Sequence, residues 1–136
     1  MKKASILFLL LGIFVIAIPA FAYNDICEMG EKALTMTTGQ MDAFYKDRIK
    51  GWSVEGSGEV YDVVVKNKRR CIVIVNCGNN VFVSIEAGDY GLKIKQLNIG
   101  DRIEFSGQCS GLTRKYYQDS DKKHIEAFVY DASIHY

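Results

Sequence analysis

The sequence is poor in the residues on which catalysis and metal binding most often depend. It has only two histidines, His124 and His135, and neither lies in a catalytic or metal-binding motif. It contains no nucleophile elbow, zinc-protease helix or phosphate-binding loop. No two of its four cysteines have the close spacing of a Cys-x-x-Cys zinc motif. These absences predict a protein that is not an enzyme and that uses no metal and no cofactor.

Long hydrophobic runs are also missing, apart from one at the start. Residues 6–18 are apolar, follow Lys2 and Lys3, and precede the only proline, Pro19, and the small-residue pattern Ala20-Phe21-Ala22. This layout is typical of a cleaved secretory signal peptide, and the run is short for a membrane span. We predict a signal peptide over residues 1–22 and an exported protein, periplasmic or secreted, with no membrane span after cleavage. An uncleaved N-terminal anchor is the alternative.

An excess of charge of one sign is absent as well. Without residues 1–22 the chain has 15 basic and 16 acidic side chains, a net charge of −1. No field of the whole molecule therefore favours nucleic acid or an anionic membrane.

All four cysteines lie beyond the predicted cleavage site, where an oxidising compartment would let them pair. Cys71 and Cys77 bound one predicted strand, and six strand steps separate its ends by roughly 20 Å, beyond the ~7 Å Cα limit of a disulfide. Two complete pairings remain: Cys27–Cys71 with Cys77–Cys109, or Cys27–Cys77 with Cys71–Cys109. Alternatively, some of Cys71, Cys77 and Cys109 are buried thiols. We expect at least one bridge.

Helical spacing comes first in the rest of the chain, and strand alternation follows. Residues 29–49 predict a helix that Thr37 or Thr38 could cap in its second half; one face holds Leu34, Met41, Phe44, Tyr45 and Ile49. A period of two then predicts five strands, over residues 52–65, 71–76, 81–87, 102–109 and 124–133, with a charged loop over 110–123. The predicted organisation is a signal peptide (1–22), an N-terminal segment and helix (23–50) and a single barrel (51–136).

The first predicted strand carries two glycines on its inward parity, which suggests a strand bent across a small barrel. The residues of that parity are Trp52, Val54, Gly56, Gly58, Val60 and Val64. If Trp52 points into the barrel end, a Trp52→Ala change should cost about 3–5 kcal/mol.

Five short strands with a glycine-bent first strand indicate a mainly β fold, a five-stranded OB-fold barrel with an N-terminal α-helix. The helix with Phe44-Tyr45-Lys46, the first strand after Lys50-Gly51-Trp52, and the block that begins Leu97-Asn98-Ile99-Gly100-Asp101 extend this likeness. Over about residues 35–133 the chain resembles the exported bacterial OB-fold proteins of the tRNA_anti-like family. The resemblance implies a fold and an envelope location, without a ligand or a catalytic residue. It also implies a cysteine at the end of the fifth strand as the partner of Cys109, where this chain has Ile134-His135-Tyr136.

OB-folds usually bind across strands two and three, between the loops that join strands one to two and four to five. Eight basic residues fall in those loops, with two tyrosines in the second loop, and Phe82 is predicted to point outward from strand three. The candidate ligand-binding residues are Lys66, Lys68, Arg69, Arg70, Phe82, Arg114, Lys115, Tyr116, Tyr117, Lys122 and Lys123. The alternative is that these loop charges are only solvated. His124 is expected to be a solvated residue at the start of the fifth strand.

We therefore expect a non-catalytic binding module with a protein partner in the cell envelope, as an inhibitor, an immunity protein or a subunit of an assembly. The alternative ligand is an anionic small molecule, a glycan or single-stranded nucleic acid. Nucleic acid fits the groove but not the compartment, since exported proteins seldom meet it.

Overall fold

The computed structural model describes residues 24–67, 70–87, 94, 96–116 and 122–135, so the predicted signal peptide lies outside the described residues. Two helices precede five strands: α1 (Ile26–Ala33), α2 (Thr38–Arg48), β1 (Ser53–Asn67), β2 (Arg70–Gly78), β3 (Val81–Ala87), β4 (Arg102–Tyr116) and β5 (Lys123–His135). The fold is mainly β, as predicted. Within these ranges, no helix is long and apolar enough to cross a membrane.

The five strands close into a barrel in the order β1-β2-β3-β5-β4. β1 is long enough to pair with β2 through its second half and with β4 through its first half, and both contacts are antiparallel. β3 and β5 are parallel, and the other contacts are antiparallel. The core is formed by the inward residues of all five strands, among them Val60, Val73, Val83, Phe105 and Val129.

A bulge in β1 changes the parity that simple alternation predicts. The register shifts between Val60 and Asp62, after which Val63 pairs with the buried Val73 and Val64 pairs with Ile72 on the outer face. The prediction that Val64 shares the inward face of Val60 is therefore wrong, because one extra residue in a strand reverses the side-chain order beyond it.

Trp52 also departs from the prediction. It precedes the first residue of β1, and 45% of its surface is exposed, whereas Val54 is the first buried residue of the strand. The predicted loss of about 3–5 kcal/mol for Trp52→Ala depends on a buried ring. The structure contradicts that premise.

The single predicted helix is divided in two at residues 34–37. Thr37 caps α2: its hydroxyl accepts from the Gln40 amide, and the Gln40 side chain accepts from the Thr37 amide. This reciprocal capping starts a new helix instead of continuing the first. Of the two residues predicted as possible caps, Thr37 is the cap and Thr38 is the first residue of α2.

α1 covers one end of the barrel. Its buried face consists of Ile26, Gly30 and Ala33, and the helix contacts β1, β3 and β5. A disulfide between Cys27 and Cys77 ties it to β2, with the Cα atoms 5.7 Å apart. This bridge belongs to the second of the two predicted pairings. The second bridge of that pairing, Cys71–Cys109, does not form, and both of these side chains are buried thiols.

β4 and β5 form a longer hairpin than the sequence predicts. β4 continues to Tyr116 and β5 begins at Lys123, so much of the predicted loop over 110–123 is strand. Register shifts at Ser106/Gln108 and Cys109/Gly111 break the alternation of side chains, and this alternation predicts that the strand ends at Cys109.

Candidate binding face

The outer surface of β2, β3 and β5, together with Tyr61 at the β1 bulge, forms what we call the aromatic face. The Phe82 ring lies edge-on to Tyr61, with centroids 5.3 Å apart, and to His124, with centroids 5.8 Å apart. These rings line a shallow cavity of about 240 Å³, whose lining is Tyr61, Ile74, Phe82, Ser84, His124 and Glu126. The outward direction predicted for Phe82 is confirmed.

Strand register brings these rings together. Phe82 pairs with Glu126 across the parallel β3–β5 contact and with Asn76 across β2. The β1 bulge places Tyr61 beside Phe82, with 56% of the tyrosine exposed. Phe128 continues the apolar surface along β5 and is also exposed. Aromatic rings that gather on one face of a sheet and stay partly exposed are typical of a surface that contacts a partner.

Glu126 provides the charge at the edge of this cavity. Its Oε2 lies 2.8 Å from Lys115 Nζ, and its Oε1 lies 3.2 Å from His124 Nε2. Burial raises the pKa of the Glu126 carboxyl, but the hydrogen bonds and charges of Lys115 and His124 outweigh burial and hold that pKa below its usual value. The carboxylate is therefore ionised at neutral pH, and it neutralises Lys115.

The two basic loops lie at opposite ends of β3. β1 and β2 turn near the Glu86 end, since Ile72 pairs with Glu86, whereas β5 begins near Val81, which pairs with Ile125. Five strand steps separate Val81 from Glu86, roughly 17 Å. The described strand ends that flank the two predicted loops thus lie at opposite ends of β3.

Not every predicted basic residue is directed at the face. Arg114 pairs with the inward Ile125, and its guanidinium reaches the chain between the helices, where it donates to the carbonyls of Ala33 and Met36 and to the Thr38 hydroxyl. It fastens α1 and α2 to β4. Arg70 forms an ion pair with Glu86, with Nε 3.0 Å from Oε1.

The remaining predicted positions divide into two groups. Lys66, Lys122 and Tyr116 are exposed, and Lys123 is half-buried at the start of β5. Lys68, Arg69 and Tyr117 lie outside the described residues. Among the described basic residues of the two loops, Arg114 is the one whose side chain is directed at the helices.

Of the residues that line the cavity, only Phe82 was predicted as a site residue, and the ones missed include Tyr61, His124 and Glu126. Tyr61 depends on the bulge, and Glu126 depends on the β3–β5 register, neither of which a single sequence reveals. His124 was expected to be solvated, but only 14% of its side chain is exposed because it packs beside Phe82 and Glu126. That expectation is wrong.

The opposite side of the barrel has a different character. The paired outer residues of β1 and β4 include Glu55 with Ser106 and Ser57 with Glu104, and they carry no large apolar side chain. This serine- and glutamate-rich surface, here called the polar face, has the composition expected of a surface that contacts only solvent. The contrast singles out the aromatic face as the candidate site.

The surroundings of the Cys109 thiol in β4 disfavour its reactive, ionised form. Cys109 is fully buried, and burial raises its pKa despite the opposing hydrogen bonds with the backbone at Gly111 and Phe128. A thiol with a raised pKa holds little thiolate, which is the nucleophilic form.

Comparison with solved structures shows a likeness of the fold. The chain is similar to an Entamoeba histolytica asparaginyl-tRNA synthetase solved in complex with asparaginyl-adenylate, with 17% sequence identity and a TM-score of 0.43. The match covers 65% of this chain and 22% of that chain. No family model matches the sequence, and no curated protein matches it.

Proposed function

We propose that this chain is an exported, non-catalytic OB-fold module that binds a protein partner through the aromatic face. The barrel order β1-β2-β3-β5-β4, with β1 paired along both edges, supports the OB-fold assignment. The outer β2–β3 surface is the usual binding surface of that fold. The Cys27–Cys77 disulfide supports an oxidising compartment, in agreement with the signal-like residues 1–22.

One observation carries the proposal: Tyr61, Phe82 and His124 form an open aromatic cavity on a rigid sheet. Aromatic side chains dominate the energetics of protein interfaces when a partner side chain fills the space between them. The charges at the rim, Lys115 and Glu126, are already paired with each other. The centre of the face is therefore apolar and its edge polar, which is the anatomy of a protein interface.

The proposed partner is a protein of the cell envelope, and the module acts as an inhibitor, an immunity protein or a subunit of an assembly. Each of these roles requires a stable surface rather than a reactive group. The part of the chain that the structure describes contains no cluster of three or more His, Cys, Asp or Glu side chains placed to hold a metal ion.

The experiment is a capture from envelope extract with three forms of the purified protein. The native form is compared with a Tyr61→Ser/Phe82→Ser pair on the aromatic face and with a Ser57→Ala/Glu104→Gln pair on the polar face. We expect one partner that both the native form and the polar-face pair retain and that the aromatic-face pair loses. Equal retention by all three forms would contradict the proposed site.

A second candidate is an anionic ligand, such as a polyanionic glycan or a nucleic acid strand. The exposed Lys66 and Lys122 on opposite sides of the face favour it. Binding of a polyanion weakens steeply as salt rises, because condensed counterions are released on binding, whereas an apolar protein contact depends on salt only weakly. A salt titration of the captured complex therefore distinguishes the two candidates.

A further inference from the structure

The second half of β1 has one edge along which no described strand pairs. β1 pairs with β4 only through its first half and with β2 through its second half. On the side away from β2, Val60 makes the last backbone bonds: its amide donates to the Asp101 carbonyl and its carbonyl accepts from the Gly100 amide, both at 2.8 Å. The stretch that follows, residues 61–66, is here called the β1 edge.

The backbone of the β1 edge presents hydrogen-bonding groups away from the barrel. The Val63 amide donates to Oδ1 of the neighbouring Asp62 at 2.8 Å, so this amide points away from β2. The N–H and C=O of alternate strand residues point to the same side, and those of Val65 therefore also point outward. No described residue forms a backbone bond with Val65 on that side. Such an edge is a template on which a further strand can pair.

The side chains of the β1 edge are apolar at its centre and charged at its ends. Residues 63–65 are three consecutive valines, and 53% of Val65 and 56% of Tyr61 are exposed. Monomeric proteins commonly keep an open edge short or place charges along it. Here the charges, Asp62 and Lys66, flank the valines and leave the centre of the edge apolar.

These two charges make the β1 edge complementary to itself. Asp62 and Lys66 are exposed, opposite in sign and equally distant from Val64. Neither of them forms an ion pair within the part of the chain that the structure describes. If a second copy runs antiparallel with Val64 on the two-fold axis, Asp62 of each copy lies opposite Lys66 of the other. Two ion pairs then form across one short interface.

We propose that the β1 edge is the interface of a homodimer, in which two copies pair antiparallel through residues 61–66 with Val64 on the two-fold axis. In this register the outward N–H and C=O groups of Val63 meet those of Val65 in the other copy and form a hydrogen-bonded pair. The two Val64 residues then form a non-hydrogen-bonded pair, in which side chains approach most closely. Residues opposite each other in such a pair share a face of the sheet, so both aromatic faces open to the same side. The inference does not depend on the proposed partner-binding function.

Analytical ultracentrifugation of the purified protein over a range of concentrations tests the proposal. We expect the mass of the native protein to rise towards that of two chains. Asp62→Lys and Lys66→Asp each place like charges opposite one another at two positions, and each should weaken self-association by about tenfold or more. Glu104→Lys is the matched control, because it reverses an exposed charge on the polar face and should leave the mass unchanged.

Mixing the two charge variants tests the register. The Asp62→Lys copy has lysine at both positions and the Lys66→Asp copy has aspartate at both, so each repels itself and attracts the other. We expect each variant alone to be monomeric at a concentration at which an equimolar mixture is dimeric. Circular dichroism and the Tm show that each variant is folded. A native protein that stays monomeric, a dimer that Asp62→Lys does not weaken, or a mixture that stays monomeric would overturn the proposal.

Discussion

At the residue scale, Gly58 lies where β1 passes close to the backbone of β2. A Cβ at this position would stand 2.4 Å from the Asn76 carbonyl oxygen and 2.7 Å from Val75 Cγ1. A backbone atom cannot turn aside as a flexible side chain can, so we expect Gly58→Ala to lower the free energy of unfolding by about 3 kcal/mol. Urea denaturation measures the change.

Gly39 in α2 is the matched control, since a Cβ there meets no atom within 4 Å. Gly39→Ala should raise the free energy of unfolding by about 0.5–1 kcal/mol because alanine loses less conformational entropy in a helix. Equal effects of the two substitutions would show that the close β1–β2 approach is not as described.

Glu126 gives a prediction for the effect of acid. Because its pKa is lowered in the folded state, its ionised form stabilises the protein above the ordinary pKa of a glutamate. That contribution is lost as the pH falls through the lowered value. We expect Glu126→Gln to flatten the fall in Tm between neutral and acidic pH, whereas Glu104→Gln on the polar face should leave the slope nearly as it is. An unchanged slope in Glu126→Gln would contradict the described ion pairs.

At the element scale, α1 depends on its ties to the barrel, because a helix of eight residues is not stable alone. The Cys27–Cys77 bridge spans a sequence separation of 50 residues. Loop-closure entropy predicts that breaking it destabilises the fold by up to about 4 kcal/mol.

Chemical denaturation with and without a reducing agent tests this contribution. The reducing agent should lower the stability of the native protein and leave a Cys27→Ser/Cys77→Ser variant unaffected. Peptide mapping under non-reducing conditions identifies the pair directly, and recovery of Cys71–Cys109 in its place would be the contrary result. A native protein that is equally stable in both conditions would show that the bridge does not constrain the unfolded chain.

At the scale of the whole molecule, the barrel presents the aromatic face on one side and the polar face on the other, and the two helices precede the strands. If residues 1–22 are removed on export, protein isolated from the envelope should begin at Tyr23. Intact mass and N-terminal sequencing measure this. A chain that keeps residues 1–22 in the membrane fraction would favour the N-terminal anchor instead.

The order of helix and strands, the outward direction of Phe82 and the Thr37 cap could be read from the sequence, because they depend on side-chain period and on neighbours within a few residues. The bulge after Val60, the pairing of Phe82 with Glu126 and the length of β4 could not. These features depend on strand register, which is set by contacts between residues far apart in the chain. Trp52 shows the same limit: its alternation with Val54 is evident, but whether a ring just before the first residue of a strand is covered depends on the helices that pack beside it. The sequence by itself thus determined a small mainly β domain with a helical segment first, whereas the tertiary structure decided that this segment forms two helices, which side chains meet at the aromatic face and which cysteines pair.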